Sequence, residues 1–142
     1  MATRSRIGLQ LQDGSILSVY HHWDGYPEWL GRILTTHYNS KSLVEELIDG
    51  GDMSSCWTDE RWNDTGVKGV YGPQYYSQRG EDCPPVLHKD LNEFLIYSDN
   101  NCGGEYAYHF VNGEWVCHDL RPNPYTVNNV MEVPIPDGAL AV

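Results

Sequence analysis

The stretch EYAYHFVNGEWVCHDL, residues 105–120, constrains the fold more than any other part of the chain. Tyr106, Tyr108 and Phe110 alternate with smaller or polar groups, and Trp115 and Cys117 resume the pattern after Asn112-Gly113. Period-two alternation on either side of Asn-Gly specifies a β-hairpin, because a type I′ turn needs positive φ at both central residues and Asn-Gly supplies it at least steric cost. A second hairpin is expected near the start. RIGLQLQ alternates Ile7, Leu9 and Leu11 with polar neighbours, Asp13-Gly14 marks a tight turn, and SILSVYHHW brings back β-branched and aromatic residues.

Between the hairpins the periodicity changes. Pro27 suits the first position of a helix, and Trp29, Leu30, Ile33, Leu34, His37 and Tyr38 then fall on one helical face, which predicts a helix from about Pro27 to Tyr38. Ser42 with Glu45 reads as a capping box before the apolar stripe Leu43, Val44, Leu47 and Ile48, and Gly50-Gly51 supplies a left-handed stop. Asp90 and Glu93 repeat that arrangement before Leu91, Phe94, Leu95 and Tyr97, and Asn100 to Gly104 ends the third helix. Residues 52–90, rich in Asp, Ser, Gly, Asn and Pro, carry only GVYG and QYYSQ as extended pieces.

Hairpins near both ends with short helices between them predict an α+β domain: a curved antiparallel sheet built from terminal hairpins, with two to three helices packed on one face. The 142 residues suit a single domain, expected over 1–120, and the prolines at 122, 124, 134 and 136 make 121–142 an extended C-terminal arm or tail.

Charge excludes some partners. Twenty acidic residues against nine basic ones give a net charge of −11, a field that repels phosphate backbones and attracts basic surfaces, so no direct nucleic-acid binding is expected. Glu45, Glu46, Asp49 and Asp52 form the densest acidic group, read as a solvated helix face with a DNA-mimicking surface as the sharper alternative. Cys56, Cys83, Cys102 and Cys117 show neither a CxxC pair nor a zinc-ligand spacing, so free thiols in a reducing cytoplasm, no metal and no cofactor are expected. No apolar run approaches the roughly 20 residues of a membrane span, and the first residues carry no apolar signal core, so neither a membrane nor export is expected.

The most unusual stretch is YHHWDGYPEWLG, residues 20–31, at a strand-to-helix junction. Backbone amides at such a junction can hold an anion or a carboxylate. His21 and His22 point to opposite faces if the strand continues, so at most one of them meets Asp24 or Glu28. With His37 further along the helix, these residues sketch a His/Asp/Glu constellation for acid-base or metal-assisted chemistry, although in no recognised ligand spacing. The architectural alternative makes Asp24-Gly25 a turn, Tyr26-Pro27 a helix start, and Trp23 and Trp29 core anchors. Arg79, beside a glycine, is either an ion-pair partner of Asp24 or Glu28, or a guanidinium fork for an anionic ligand at the same corner.

TRSRIG, DGSI, YHHWDGYPEWLG followed by LTTHY, SQRGE and EYAYHFVNGEWVCHD together resemble a set of small uncharacterised proteins of bacteriophages and mobile elements with an HWDGYPE-type motif. The resemblance spans most of residues 3–119. Its matching positions are Arg4, Arg6, His22, Trp23, Asp24, Gly25, Tyr26, Pro27, Glu28, Gly31, Tyr38, Arg79, Gly80 and Glu81, whereas Trp29 stands where a small or aliphatic residue is expected. It implies a genomic setting and no particular chemistry.

The leading expectation is a non-catalytic phage accessory protein of the host cytoplasm that modulates the host by binding a host protein or other macromolecule through an acidic, aromatic-rich surface. Its candidate binding residues are His22, Trp23, Asp24, Tyr26, Glu28, His37, Arg79 and Glu81. A second class is a binding or sequestering protein for a small anionic, nucleotide-like ligand held between Trp23, Tyr26 and Arg79. The third and weakest is a hydrolase using His22, Asp24 and Glu28, which no nucleophile motif or phosphate loop accompanies. Oligomeric state is not readable from the sequence.

Overall fold

The computed structural model describes residues 3–56, 72–101, 103–121 and 131–136. Within them the chain runs β1 (Ser5–Gln10), β2 (Ile16–His21), a π-helical turn (Pro27–Gly31) leading into α1 (Arg32–His37), α2 (Lys41–Asp49), β3 (Met53–Cys56), β4 (Pro73–Tyr75), a 3₁₀ turn (Tyr76–Arg79), β5 (Val86–His88), α3 (Leu91–Asn100), β6 (Tyr106–Val111), β7 (Glu114–Asp119) and β8 (Met131–Val133). The α+β class is as expected.

Both hairpins form where the turn dipeptides place them. Asn112 and Gly113 take φ of 53° and 79°, the positive pair a type I′ turn needs, and pair Tyr106–Val111 with Glu114–Asp119 in register. In the first hairpin the Asp13 carboxylate accepts from the Ser15 backbone N–H at 3.0 Å, closing the turn between β1 and β2.

The sheet is mixed rather than wholly antiparallel. Its order is β4-β3-β2-β1-β6-β7-β8, with β5 also pairing β2, and the two hairpins join through parallel β1 and β6, Ile7 facing Tyr108. A second parallel contact sets His21 against Met53. The helices are also divided between the two faces rather than gathered on one. Ile33, Leu34, Val44, Leu47 and Ile48 of α1 and α2 share a core with Ile7, Val19, Tyr108 and Cys117. Phe94 and Leu95 of α3 cover Ile16, Ala107 and Leu120 on the opposite face.

Alternation explains the division. Ser5, Ile7 and Leu9 point to the α1–α2 side, while Arg6 and Gly8 point to the α3 side, where a Cβ on Gly8 would come 2.6 Å from the Ile16 side chain and 3.2 Å from the Phe94 ring. The α3 side therefore holds buried polar groups. The Arg6 guanidinium donates to the Ser18 hydroxyl at 2.9 Å and to the Ser18 carbonyl at 3.0 Å and lies over the Tyr97 ring, while the Ser18 hydroxyl meets His88 Nε2 at 2.6 Å.

Helix α2 is capped by Ser40, whose hydroxyl accepts from the Leu43 N–H, so the cap lies two residues before the expected Ser42. Gly51, at φ 84°, provides the left-handed stop. Asp90 caps α3 as expected, accepting from the Glu93 N–H at 2.9 Å, and the Glu93 carboxylate reaches back to the Lys89 N–H. Of the expected C-terminal arm, residues 131–133 pair with β7 as β8, and Ile135 packs against Gly31, where a Cβ would approach it to 2.8 Å. Residues 122–130 and 137–142, and most of GVYG, lie outside the described residues. Among the described residues no helix is long and apolar enough to cross a membrane.

Candidate functional site

The HHWDGYPEW stretch is a hydrogen-bonded corner whose residues divide by direction. Strand β2 ends at His21, and the next two amides continue the pairing: the His22 N–H donates to the Met53 carbonyl at 3.2 Å and the Trp23 N–H to the Ser54 carbonyl at 2.8 Å. Asp24 then takes the left-handed φ of 59° that Asp tolerates better than most side chains. Gly25 is clamped from both ends, its N–H donating to the Thr3 carbonyl at 2.9 Å and its carbonyl accepting from the buried Tyr108 hydroxyl at 2.6 Å. A Cβ there would lie 2.5 Å from the Ser5 hydroxyl and 2.7 Å from the Thr3 carbonyl, so the close approach requires glycine. Tyr26 is extended at φ −74° and ψ 154°, and Pro27 opens the helical turn.

The inward residues are architectural. His21 is completely buried, with Nδ1 3.2 Å from the Ser5 hydroxyl, and burial together with the neighbouring His22 lowers its pKa to about 3, so it is neutral at physiological pH. Trp29 is half-buried, its indole N–H donating to the Cys56 carbonyl at 3.3 Å, and it packs against the core as expected.

The outward residues form the surface. Trp23 is 47% exposed, as a binding residue would be and unlike the core anchor of the architectural alternative: the successive His22 and Trp23 N–H groups both bond β3, which breaks strand alternation just before the left-handed Asp24. His22 lies on the face opposite His21, its Nδ1 2.7 Å from the Tyr20 hydroxyl and its ring edge-on to Trp23 at a centroid distance of 4.8 Å. Burial first, and the nearby Arg4 cation second, lower the His22 pKa. Asp24 and Glu28 are exposed and close enough to Tyr26 to add to the rise in its phenol pKa, which burial begins.

The other candidate residues lie elsewhere. His37 is in the last turn of α1, nine residues beyond Glu28 and so about 13 Å along the helix axis, and does not complete a constellation with His22, Asp24 and Glu28. Arg79 closes the 3₁₀ turn after β4, with Gly80 at φ 84° behind it and Glu81 exposed. That turn follows β4, and β3 lies between β4 and β2. Among the described residues no cluster of three His, Cys, Asp or Glu side chains could hold a metal ion.

Asp52 was missed as more than part of an acidic helix face. It follows α2, and its carboxylate accepts from the Tyr20 N–H at 2.8 Å, completing the β2 edge, while burial raises its pKa. Helical spacing groups it with Glu45, Glu46 and Asp49, and only the Gly50-Gly51 stop separates it from them.

No family model matches the chain, and no curated protein and no solved structure matches it either.

Proposed function

We propose that the protein is a non-catalytic accessory protein that binds a macromolecule of its host, with the corner around Trp23 as the anchor of the interface. The observation that carries this reading is an exposed tryptophan on a backbone hydrogen-bonded on both sides. Trp23 offers a large aromatic surface, while the backbone beneath it is fixed by hydrogen bonds to Met53, Ser54, Thr3 and Tyr108. Such an anchor loses little entropy on binding, which is why rigid Trp and Tyr side chains dominate interface energies. Asp24, Glu28 and a net charge of −11 favour a partner with a basic surface. The phage setting of this reading rests on the HWDGYPE resemblance, and the cytoplasmic setting on the spacing of the four cysteines.

A hydrolytic role has less support, because His22 is bonded to Tyr20 and His37 lies far along α1. A nucleotide-like ligand between Trp23, Tyr26 and Arg79 is likewise less supported, since Arg79 ends the turn after β4 and β3 lies between that strand and β2.

The test is affinity capture from a host lysate with the wild type and Asp24→Asn side by side, at low and high salt. A captured partner should be retained less by the variant and released steeply as salt rises, because attraction between exposed charges is screened over about 8 Å at physiological ionic strength. Equal retention by both proteins, independent of salt, would refute the reading.

A further inference from the structure

The α3 side of the sheet is closed by a chain of polar groups built around one hydroxyl. By register, Arg6 of β1, Ser18 of β2 and His88 of β5 share that face. The Ser18 side chain is fully buried, its hydroxyl accepting from the Arg6 Nε–H at 2.9 Å and lying 2.6 Å from His88 Nε2. A guanidinium can only donate, so among the described residues His88 Nε2 is the acceptor within reach of the Ser18 hydrogen. This pattern assigns the imidazole as neutral, with its hydrogen on Nδ1. Tyr97 of α3 covers both neighbours of the hydroxyl, the Arg6 guanidinium and the His88 ring each lying 4.9 Å from its ring centre, and Phe94 meets His88 at 5.5 Å.

A proton on His88 Nε2 breaks the chain. Two donors then converge on one oxygen, and the Ser18 hydrogen is left buried without that acceptor. The charges around His88 are divided: Arg6 from β1 opposes a second cation, while Glu93 from α3 favours one. The Glu93 carboxylate is already engaged by the Lys89 N–H and the Asp90 carboxylate by the Glu93 N–H, both at the cap of α3. From β2, Tyr20 shares the face, with its hydroxyl on His22. Burial outweighs these charges and lowers His88 to about 4.

His88 also sits where release can be local. Strand β5 is three residues long and pairs only with β2 among the described residues, and α3 follows it after Lys89 and Asp90. Phe94 and Leu95 of α3 cover Ile16, Ala107 and Leu120, a core separate from the larger one under α1 and α2. We propose that β5 and α3 form an acid-opened flap: proton uptake by His88 releases them from the sheet and uncovers the apolar face of Ile16, Ala107 and Leu120. The closed flap holds His88 below its ordinary value near 6.5, which the open flap restores, so the flap is fully closed above pH 6.5 and opening grows about tenfold per pH unit from there toward 4.

Amide hydrogen exchange, corrected for the intrinsic effect of pH, tests this between pH 7 and pH 5 in the wild type and in His88→Gln, whose amide can accept from Ser18 but takes up no proton. The proposal expects α3 amides of the wild type to lose protection about tenfold per pH unit below 6.5, ahead of the β6 amides, and α3 protection in His88→Gln to be markedly less dependent on pH. Loss of protection in α3 and β6 together at every pH, or the same acid dependence of α3 in His88→Gln, would overturn it. If His88→Gln does not fold, the His88 imidazole is titrated by NMR in the wild type. Loss of α3 protection in step with His88 protonation supports the flap, and a protonated His88 beneath a fully protected α3 refutes it.

Discussion

The inward and outward sides of residues 20–31 differ in what fixes them. His21, Gly25 and Pro27 are buried, and each meets a specific constraint: a hydroxyl from Ser5, a clamp between Thr3 and Tyr108, the first position of a helical turn. Trp23, Asp24 and Glu28 are exposed, and their side chains are not needed to complete the core. A twelve-residue run dense in aromatic and ionisable groups thus contains two interleaved sets of residues. The inward half sets the geometry of the strand-to-helix corner, and the outward half uses that geometry to display a surface.

The largest expected effect comes from acid, which acts on the inward side. Burial lowers His21 to about 3, and His88 and His109 are each lowered to about 4, burial again being the first cause. His109 also stacks on His118, with ring nitrogens 3.2 Å apart, an arrangement in which one N–H serves both rings and a second proton is opposed. The folded-state pKa values lie below the unfolded value near 6.5, so the unfolded chain takes up protons first. Stability is therefore full above pH 6.5 and is lost as pH falls from 6.5 toward 4 and 3. Each fully buried histidine contributes a loss of about 1.4 kcal/mol per pH unit within that window. Urea denaturation from pH 8 to pH 4 should show a flat region followed by a steep decline, with a shallower slope in His21→Leu. Stability unchanged down to pH 4 would show that the inward histidines accept protons in place.

Gly25→Ala should come next, at about 2 to 3 kcal/mol, because the added methyl meets the Ser5 hydroxyl and the Thr3 carbonyl and neither can withdraw without disturbing β1. Tyr108→Phe is smaller. It leaves the packing intact and removes the donor to the Gly25 carbonyl, for about 1 to 2 kcal/mol. Both are measured from denaturation midpoints, and a neutral Gly25→Ala would place the clamp elsewhere. The smallest effect belongs to the outward side: Asp24→Asn and Glu28→Gln should each stay within about 0.5 kcal/mol of the wild type. A large loss in either would erase the distinction between the two sides.

Much of this architecture is legible in the residues. Asn112-Gly113 and Asp13-Gly14 set both hairpins because a turn dipeptide flanked by alternation acts over a few residues, and Pro27 starts the helical segment for the same local reason. The parallel pairing of β1 with β6 has no local signature, since its backbone ladder joins residues about a hundred positions apart. Nor could alternation alone assign the helices to opposite faces: it separated Ile7 from Gly8 without saying that α3 would cover the glycine side. At the corner, alternation placed His21 and His22 on opposite faces but not which of them faces the core. The exposure of Trp23 runs against the usual burial of tryptophan and accompanies a break in alternation, the successive His22 and Trp23 N–H groups both bonding β3.

Trp23→Ala tests most directly whether the outward half of the corner is a recognition surface, when thermal unfolding and capture of the host partner are measured on the same preparation. The account predicts a melting temperature close to wild type, since the ring is 47% exposed and the backbone bonds beneath it are independent of its side chain, together with loss of the captured partner. A variant that melts far below the wild type, or that captures the partner as well as the wild type does, would contradict it.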